Sequence, residues 1–341
     1  MRLNEKRALK EKITTTMIDT LIATIPLIVV AFVVYGIFPI LIILTSTVLA
    51  VLTEYIFGKF ILKKDIETDF STAVVGVLVG LSLAPFTPIY IAGLASIISV
   101  LFGQLCFGSV EKKIVNPIVI GKLAILLFFP SVLAAGSAAW SNPDIVAPGF
   151  EGVGSILLAN TGMIGGYSVI AIVVGAIYLM LRGRLSWEVP TGLFISIFVG
   201  YFVAAFMGIE IPLELGEIVF LGVFILTDLY SSPKYLFGKL FYGIMIGASM
   251  ILFWKHGIQQ EAPLYAILIL NIFIRPINSV LKPNVYGDDK LGFAEITQGL
   301  GMAIAVIVLV FAFIFLHQFG LILYLFIIYL FFGIWKISTL K

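Results

Sequence analysis

Cysteine is all but missing. Cys106 is the single one in 341 residues, which excludes an internal disulfide and a self-contained four-cysteine metal site. Histidine is almost as scarce: His256 and His317 lie far apart and offer no zinc or haem spacing. The largest deficit is charge. Charged residues make up 12% of the chain, against about 25% in a soluble domain, so the chain has roughly half the charge needed to coat itself for water. A net charge of +2 is too small to imply nucleic-acid binding. No Ser/His/Asp set, Walker sequence, Rossmann fingerprint or metal-ligand cluster can be read from the sequence.

What is present is apolar sequence. Hydrophobic residues are 61% of the chain and the mean hydropathy is +1.14. A spanning helix needs about 20 mostly apolar residues. Twelve candidate segments run at approximately 15–35, 38–60, 70–86, 88–108, 118–139, 160–181, 186–207, 214–230, 237–254, 262–276, 296–316 and 319–338. They predict an all-α polytopic protein of the cell membrane with almost no soluble domain. The opening MRLNEKRALKEK mimics a signal peptide, but the apolar run after it has no small-residue cleavage pattern and many similar runs follow. It reads as a cytoplasmic N-terminal tail over 1–14, leading into a first spanning helix. Several segments are short or interrupted by proline, around Pro85 and Pro88, around Pro233 and near Pro276. Such segments predict half-helices meeting inside the membrane.

Basic residues set the orientation. With the N-terminus inside, Lys59, Lys63, Lys64, Lys112, Lys113, Arg182, Arg184 and Lys234 all fall on the cytoplasmic side. The segment from about Ser141 to Gly154 has no basic residue and falls outside; Lys255 is the one exception. Five segments precede that outside loop, five follow it, and two remain. The expected layout is a five-helix repeat over 15–140, an extracytoplasmic loop over 141–159, a second five-helix repeat over 160–287 and a two-helix extension over 288–341. Five is odd, so the second repeat enters the membrane from the opposite face. GVLVGLSLAPFTP from Gly76 can be laid on GVFILTDLYSSP from Gly222, each an apolar helix ending in a polar, proline-containing break. Asn116-Pro117 opens the fifth segment of the first half; in the second half Asn271 lies within the fifth segment, which Pro276 is expected to end.

Ionisable groups at membrane depth cost about 2.5–3.5 kcal/mol on insertion scales and need partners or a polar cavity. Asp228 follows an apolar run, with Thr227, Ser231 and Ser232 close by; it is either such a group or a helix end emerging into water. Asp69 and Ser71 open the third segment as an N-cap would. Asn116 before a proline is explained by capping alone or by a site. Glu54 and Lys122 read as groups near helix ends that snorkel to the interface. Glu210, Glu214 and Glu217 read as solvated and outside, Cys106 as a small packed residue, and His317 as interfacial. GMIGGYS from Gly162 suits tight helix contact.

Six collinear stretches between about 55 and 287 resemble the RnfD/NqrB family, the flavin-carrying membrane subunits of Rnf and Na+-translocating NADH:quinone oxidoreductase complexes. They are DFSTAVVGVLVGLSLAP from Asp69, FGQLCFGSVEKKIVNPIVIGK from Phe102, LLFFPSVLAAGSAAW from Leu126, GMIGGYSVIAIVVGAIYLMLRGRLSWEVP from Gly162, GVFILTDLYSSPKYLFGKLFYGIMIG from Gly222 and LILNIFIRPINSVLKPNVYG from Leu268. The resemblance implies a ten-helix core of inverted five-helix repeats. It also implies a membrane component that relays electrons via flavin, beside other Rnf/Nqr-type membrane subunits and a flavoprotein subunit, coupled to Na+ or H+. The candidate cofactor-binding residues are Asp69, Ser71, Asn116, Thr227, Asp228 and Asn271.

Three departures modify that expectation. Family members attach FMN through a threonine on the outside loop, whereas EGVGSILLA from Glu151 has Ile156 in that position and Ser155 beside it. A phosphoester bond needs a hydroxyl, so no covalent FMN is expected; any flavin, FMN or riboflavin, is expected to be non-covalent, or absent. Of the two asparagines in the family's Asn-x-x-Asn-Pro, the first is Lys113 here and Asn116 alone remains. Two further apolar helices follow Gly287. The competing expectation is a small-solute channel or transporter with the inverted five-helix repeats of urea-transporter-type channels.

Overall fold

The structure is a computed structural model that describes residues 2–61, 70–107, 115–133, 138–140, 162–209, 211, 214–228, 231–282 and 292–339, with side chains from Glu11 onward. In lipid every backbone N–H and C=O must be bonded within the chain, which leaves the helix as the default for apolar runs. The principal helices are α1 (Arg2–Tyr35), α2 (Ile37–Ile56), α3 (Ser71–Leu81), α4 (Ile89–Gly103), α5 (Pro117–Phe128), α6 (Val169–Leu181) and α7 (Glu188–Phe206). They continue with α8 (Leu215–Phe220), extended by a π-helical turn over Leu221–Ile225, then α9 (Leu236–Lys255), α10 (Ala262–Val280), α11 (Phe293–Gln318) and α12 (Ile322–Thr339). Among the described residues no strand occurs.

Eight of these helices are long and apolar enough to cross a membrane: α1, α2, α4, α7 and α9 to α12. The stretches Ser71–Leu81, Pro117–Phe128, Val169–Leu181 and Leu215–Ile225 are also apolar but only 10–17 residues long. At 1.5 Å per residue such helices reach about 15–25 Å, less than the hydrocarbon thickness of about 30 Å. Several of their ends lie inside the protein, among them Ser71 and Leu81 of α3, Asn116 before α5 and Ile225 after α8, all buried. Proline accounts for several of those ends: Pro117 is the first residue of α5 and Pro130 follows it, opening a four-residue helix Pro130–Leu133. Pro276 does not act this way. It lies within α10, which runs on to Val280. A proline removes one helix bond, and the later turn keeps its own, Leu281 N–H donating to the Ile277 carbonyl at 2.9 Å.

In the first half α2 packs on α3 and α4, and α4 on α5; in the second, α7 packs on α9, and α9 on α10. The halves meet where α1 packs on α6 and α5 on α10. Small residues permit the closest approaches. A Cβ on Gly192 would stand 2.6 Å from the Leu240 carbonyl oxygen, and one on Gly243 would strike the Val189 carbonyl, so α7 and α9 touch backbone to backbone. The outward faces carry large exposed apolar side chains such as Val33, Leu181, Phe198 and Phe206. That is the surface a bilayer covers.

The two C-terminal helices clasp the core. α11 packs on α9 and α10, with the Tyr265 hydroxyl 3.1 Å from His317 Nδ1. α12 packs on α4 and α5, where the Tyr329 hydroxyl donates to the Phe102 carbonyl at 2.7 Å and Gly333 abuts the Phe102 ring.

Candidate functional site

The sequence Asn-Pro at the start of α5 builds the first element. Pro117 has no N–H to lose at the first helical position, and Asn116 caps the helix by accepting from Ile118 N–H at 3.0 Å. Capping occupies only the side-chain oxygen. The amide nitrogen donates to the Ile225 carbonyl at 2.9 Å and approaches Ser231 Oγ at 3.4 Å. Ile225 ends the π-helical turn of α8, where the helix stops and its last carbonyls need partners. Asn116 is 1% exposed, so this amide is the bonding partner that water would otherwise be.

Beyond the break, Ser231 Oγ donates to Asp228 Oδ2 at 2.7 Å and Ser231 N–H to the same oxygen at 3.2 Å. Thr227 Oγ1 donates to the Val223 carbonyl. On the far side Tyr242 of α9 donates to Asn271 Oδ1 of α10 at 3.0 Å and lies 3.3 Å from the Ser231 carbonyl. The network thus joins α5, the end of α8, α9 and α10. Among the described residues, Asn271 Nδ2 is buried with no bonding partner.

Ser71, Asn116, Thr227 and Asp228 line one cavity, together with Thr16 and Thr20 of α1, Arg184 and an apolar wall that includes Val75, Leu78 and Phe224. Asn271 is not on its wall; it reaches the cavity residues only through Tyr242 and Ser231. Ser71 does not cap α3. It is the first helical residue, and Phe70 holds the cap position in a left-handed conformation with φ of 60°, a strained geometry for a bulky residue. Asp69 lies outside the described residues, as do Ser155 and Ile156 with the rest of 141–161.

Two charged clusters went unforeseen. Asp19, buried within the apolar run of α1, accepts from Arg182 Nε at 3.1 Å, Arg184 Nε at 3.0 Å and the Tyr178 hydroxyl at 3.1 Å. Arg184 Nη2 also donates to Thr15 Oγ1 at 3.1 Å. An acid inside an apolar segment, with two arginines in a loop, was the available signal. The second cluster overturns the expected interfacial placement of Lys122 and finds Glu217 paired and half-buried rather than fully solvated. Lys122 is in the middle of α5, 8% exposed, and its ammonium is 3.0 Å from Glu217 Oε1. The helix around it is buried from Pro117 to Leu126, so its charge is met by Glu217 rather than by water.

A flavin presents a planar ring system with a polar dioxo-pyrimidine edge. The hydroxyls and carboxylate of Ser71, Thr20, Thr227 and Asp228 fit that edge chemically. The cavity volume of about 60 Å³ equals roughly four to six waters at about 10–15 Å³ each, less than three fused rings need. In this form the cavity does not hold a flavin.

Residues 7–287 match the model of the NQR2, RnfD, RnfE family. The chain is 25% identical to the D subunit of the Na(+)-translocating ferredoxin:NAD(+) oxidoreductase complex of Acetobacterium woodii, over 83% of this chain and 93% of that one. It is also 25% identical to the D subunit of the proton-translocating ferredoxin:NAD(+) oxidoreductase complex of Clostridium ljungdahlii, over 81% of this chain and 92% of that one. The D subunit of an ion-translocating oxidoreductase complex of Stutzerimonas stutzeri is 24% identical, over 66% of this chain and 77% of that one.

Proposed function

The chain belongs to the NQR2, RnfD, RnfE family, and on that premise we propose that it is the D-type membrane component of an ion-translocating electron-transport complex. One observation carries the reading: the match runs through 7–287, and within it buried Asn116, Ser231, Tyr242 and Asn271, with half-buried Asp228, form one polar network joining the start of α5, the end of α8, α9 and α10. The relatives are named as components of oxidoreductase complexes, which favours this reading over a small-solute channel.

The proposed architecture is two five-helix repeats of opposite orientation, 15–140 and 160–287, with the N-terminus cytoplasmic. It is supported by the recurrence of the α2–α4–α5 packing as α7–α9–α10, and by the short third helix of each half, α3 and α8. The ion pairs of Asp19 bring the start of the apolar stretch of α1 beside Arg182 and Arg184, residues that the charge pattern assigns to the cytoplasmic side. The partners are other Rnf/Nqr-type membrane subunits and a flavoprotein subunit, and the coupled ion is Na+ or H+. A non-covalent flavin, FMN or riboflavin, would meet Ser71, Asn116, Thr227 and Asp228 only in a wider form of the cavity.

Affinity purification of the tagged chain from its native membrane tests the reading. The expected result is co-purification of further oxidoreductase subunits, with flavin absorbance that leaves the chain on denaturation. Purification without redox subunits removes the complex, and a visible spectrum without flavin removes the cofactor.

A further inference from the structure

The pair of buried Lys122 and half-buried Glu217 has no part in the cavity, yet it lies on the same seam. Ile118 lines the cavity, and Lys122 is one turn later on the same face of α5. Opposite, Val223 and Phe224 of α8 line the cavity and Glu217 stands earlier on that helix. Along α5 the pair is about 9 Å from Asn116, six residues at 1.5 Å each. It is the next polar station beyond the cavity, and ionisable groups at such depth mark ion or proton pathways. Among the described residues Glu214, exposed at the start of α8, is the further titratable group beside it, its carboxyl within hydrogen-bonding reach of Glu217.

Charge decides what such a station can carry. A sodium site needs a carboxylate whose charge is free for the ion. Here Glu217 is already matched by an ammonium tethered to α5, 3.0 Å from its Oε1. We infer that Lys122 and Glu217 hand protons along the α5–α8 seam, and that the ion coupled here is H+ rather than Na+. The inference rests on the ion-translocating reading above. An incoming proton neutralises the Glu217 carboxylate; the unpaired Lys122 ammonium gives its proton onward and becomes an amine; the Glu217 acid then protonates that amine. One proton enters, one leaves, and the pair is restored without any electron transfer.

The test uses the whole complex in proteoliposomes, with reduced ferredoxin and NAD+ as the redox probes, an internal pH dye and radioactive sodium. In sodium-free buffer the wild type is expected to move protons. Lys122→Arg keeps the charge and the ion pair but cannot release a proton. It is expected to slow proton movement by about a hundredfold, the low end for a positioned acid–base group, with its melting temperature unchanged. Glu217→Gln should match it. Sodium uptake that tracks electron transfer, or a Lys122→Arg complex that moves protons like the wild type, overturns the inference while leaving the complex reading intact. A wild type that moves neither ion overturns both.

Discussion

The side-chain amide of Asn116 meets the main-chain carbonyl of Ile225 at 2.9 Å, across 109 residues of sequence. One side chain therefore starts α5 and finishes α8. Replacing it by alanine removes a cap and leaves a buried carbonyl unbonded. Asn116→Ala is expected to lower stability by about 1–3 kcal/mol, read as a fall in melting temperature in detergent. Asn116→Asp keeps the cap but loses the donor to Ile225 and sets a carboxylate against a carbonyl, so it should be no milder. A variant as stable as the wild type would show the two helix ends to be held by other contacts.

Asp19 is the shared acceptor of two arginines and a tyrosine. Asp19→Ala should cost about 1–3 kcal/mol through charged donors left without their acceptor. The two arginine truncations should rank: Arg184→Ala more damaging than Arg182→Ala, because the Arg184 side chain is 20% exposed and that of Arg182 is 55% exposed. Thermal unfolding of the purified variants, followed by intrinsic fluorescence, gives the order; the reverse order would refute it.

Glycines in this molecule divide by what surrounds them. Gly243 abuts the Val189 carbonyl, whereas a Cβ on Gly301 of α11 would meet nothing within 4 Å. Gly243→Ala is expected to push α7 from α9 and cost about 1–3 kcal/mol, as overpacked cores do. Gly301→Ala should be neutral or stabilising by up to about 1 kcal/mol from helix propensity. Equal effects of the two substitutions would contradict the close helix contact.

The docking of α12 can be broken without touching the cavity. A Cβ on Gly333 would stand 2.5 Å from the Phe102 ring, so Gly333→Leu should displace the helix and expose the bond between Tyr329 and the Phe102 carbonyl. Faster proteolysis in the segment between α11 and α12 is the expected sign. Tyr329→Phe, which deletes that one hydrogen bond, should do less, by about 0.5–1.5 kcal/mol. Unchanged proteolysis in Gly333→Leu would show that α12 is not held through this contact.

The long helices were legible because apolar length alone sets them, and α9 at Leu236–Lys255 lies within a residue or two of its expected limits. Short helices were less so. A stretch such as 118–139 reads as one run, but Phe129 and Pro130 divide it, and only the structure shows α5 stopping at Phe128. Asn116 and Asp228 stood out as polar groups at proline breaks. Tyr242 did not, since a tyrosine in an apolar helix looks like any packed aromatic until its hydroxyl partner on α10 is seen. Lys122 was misplaced for a related reason. Its partner Glu217 is 95 residues away, and local sequence carries no sign of a charge waiting at that depth.

The π-helical turn over Leu221–Ile225 holds one residue more than the α-helical spacing would place there. Wound as a regular α-helix, the same residues would carry all that follows about 100° further round. Thr227 and Asp228 would swing off the cavity wall, and the Ile225 carbonyl would leave the reach of Asn116. At this one point the count of residues, more than their identity, is what aims the acid.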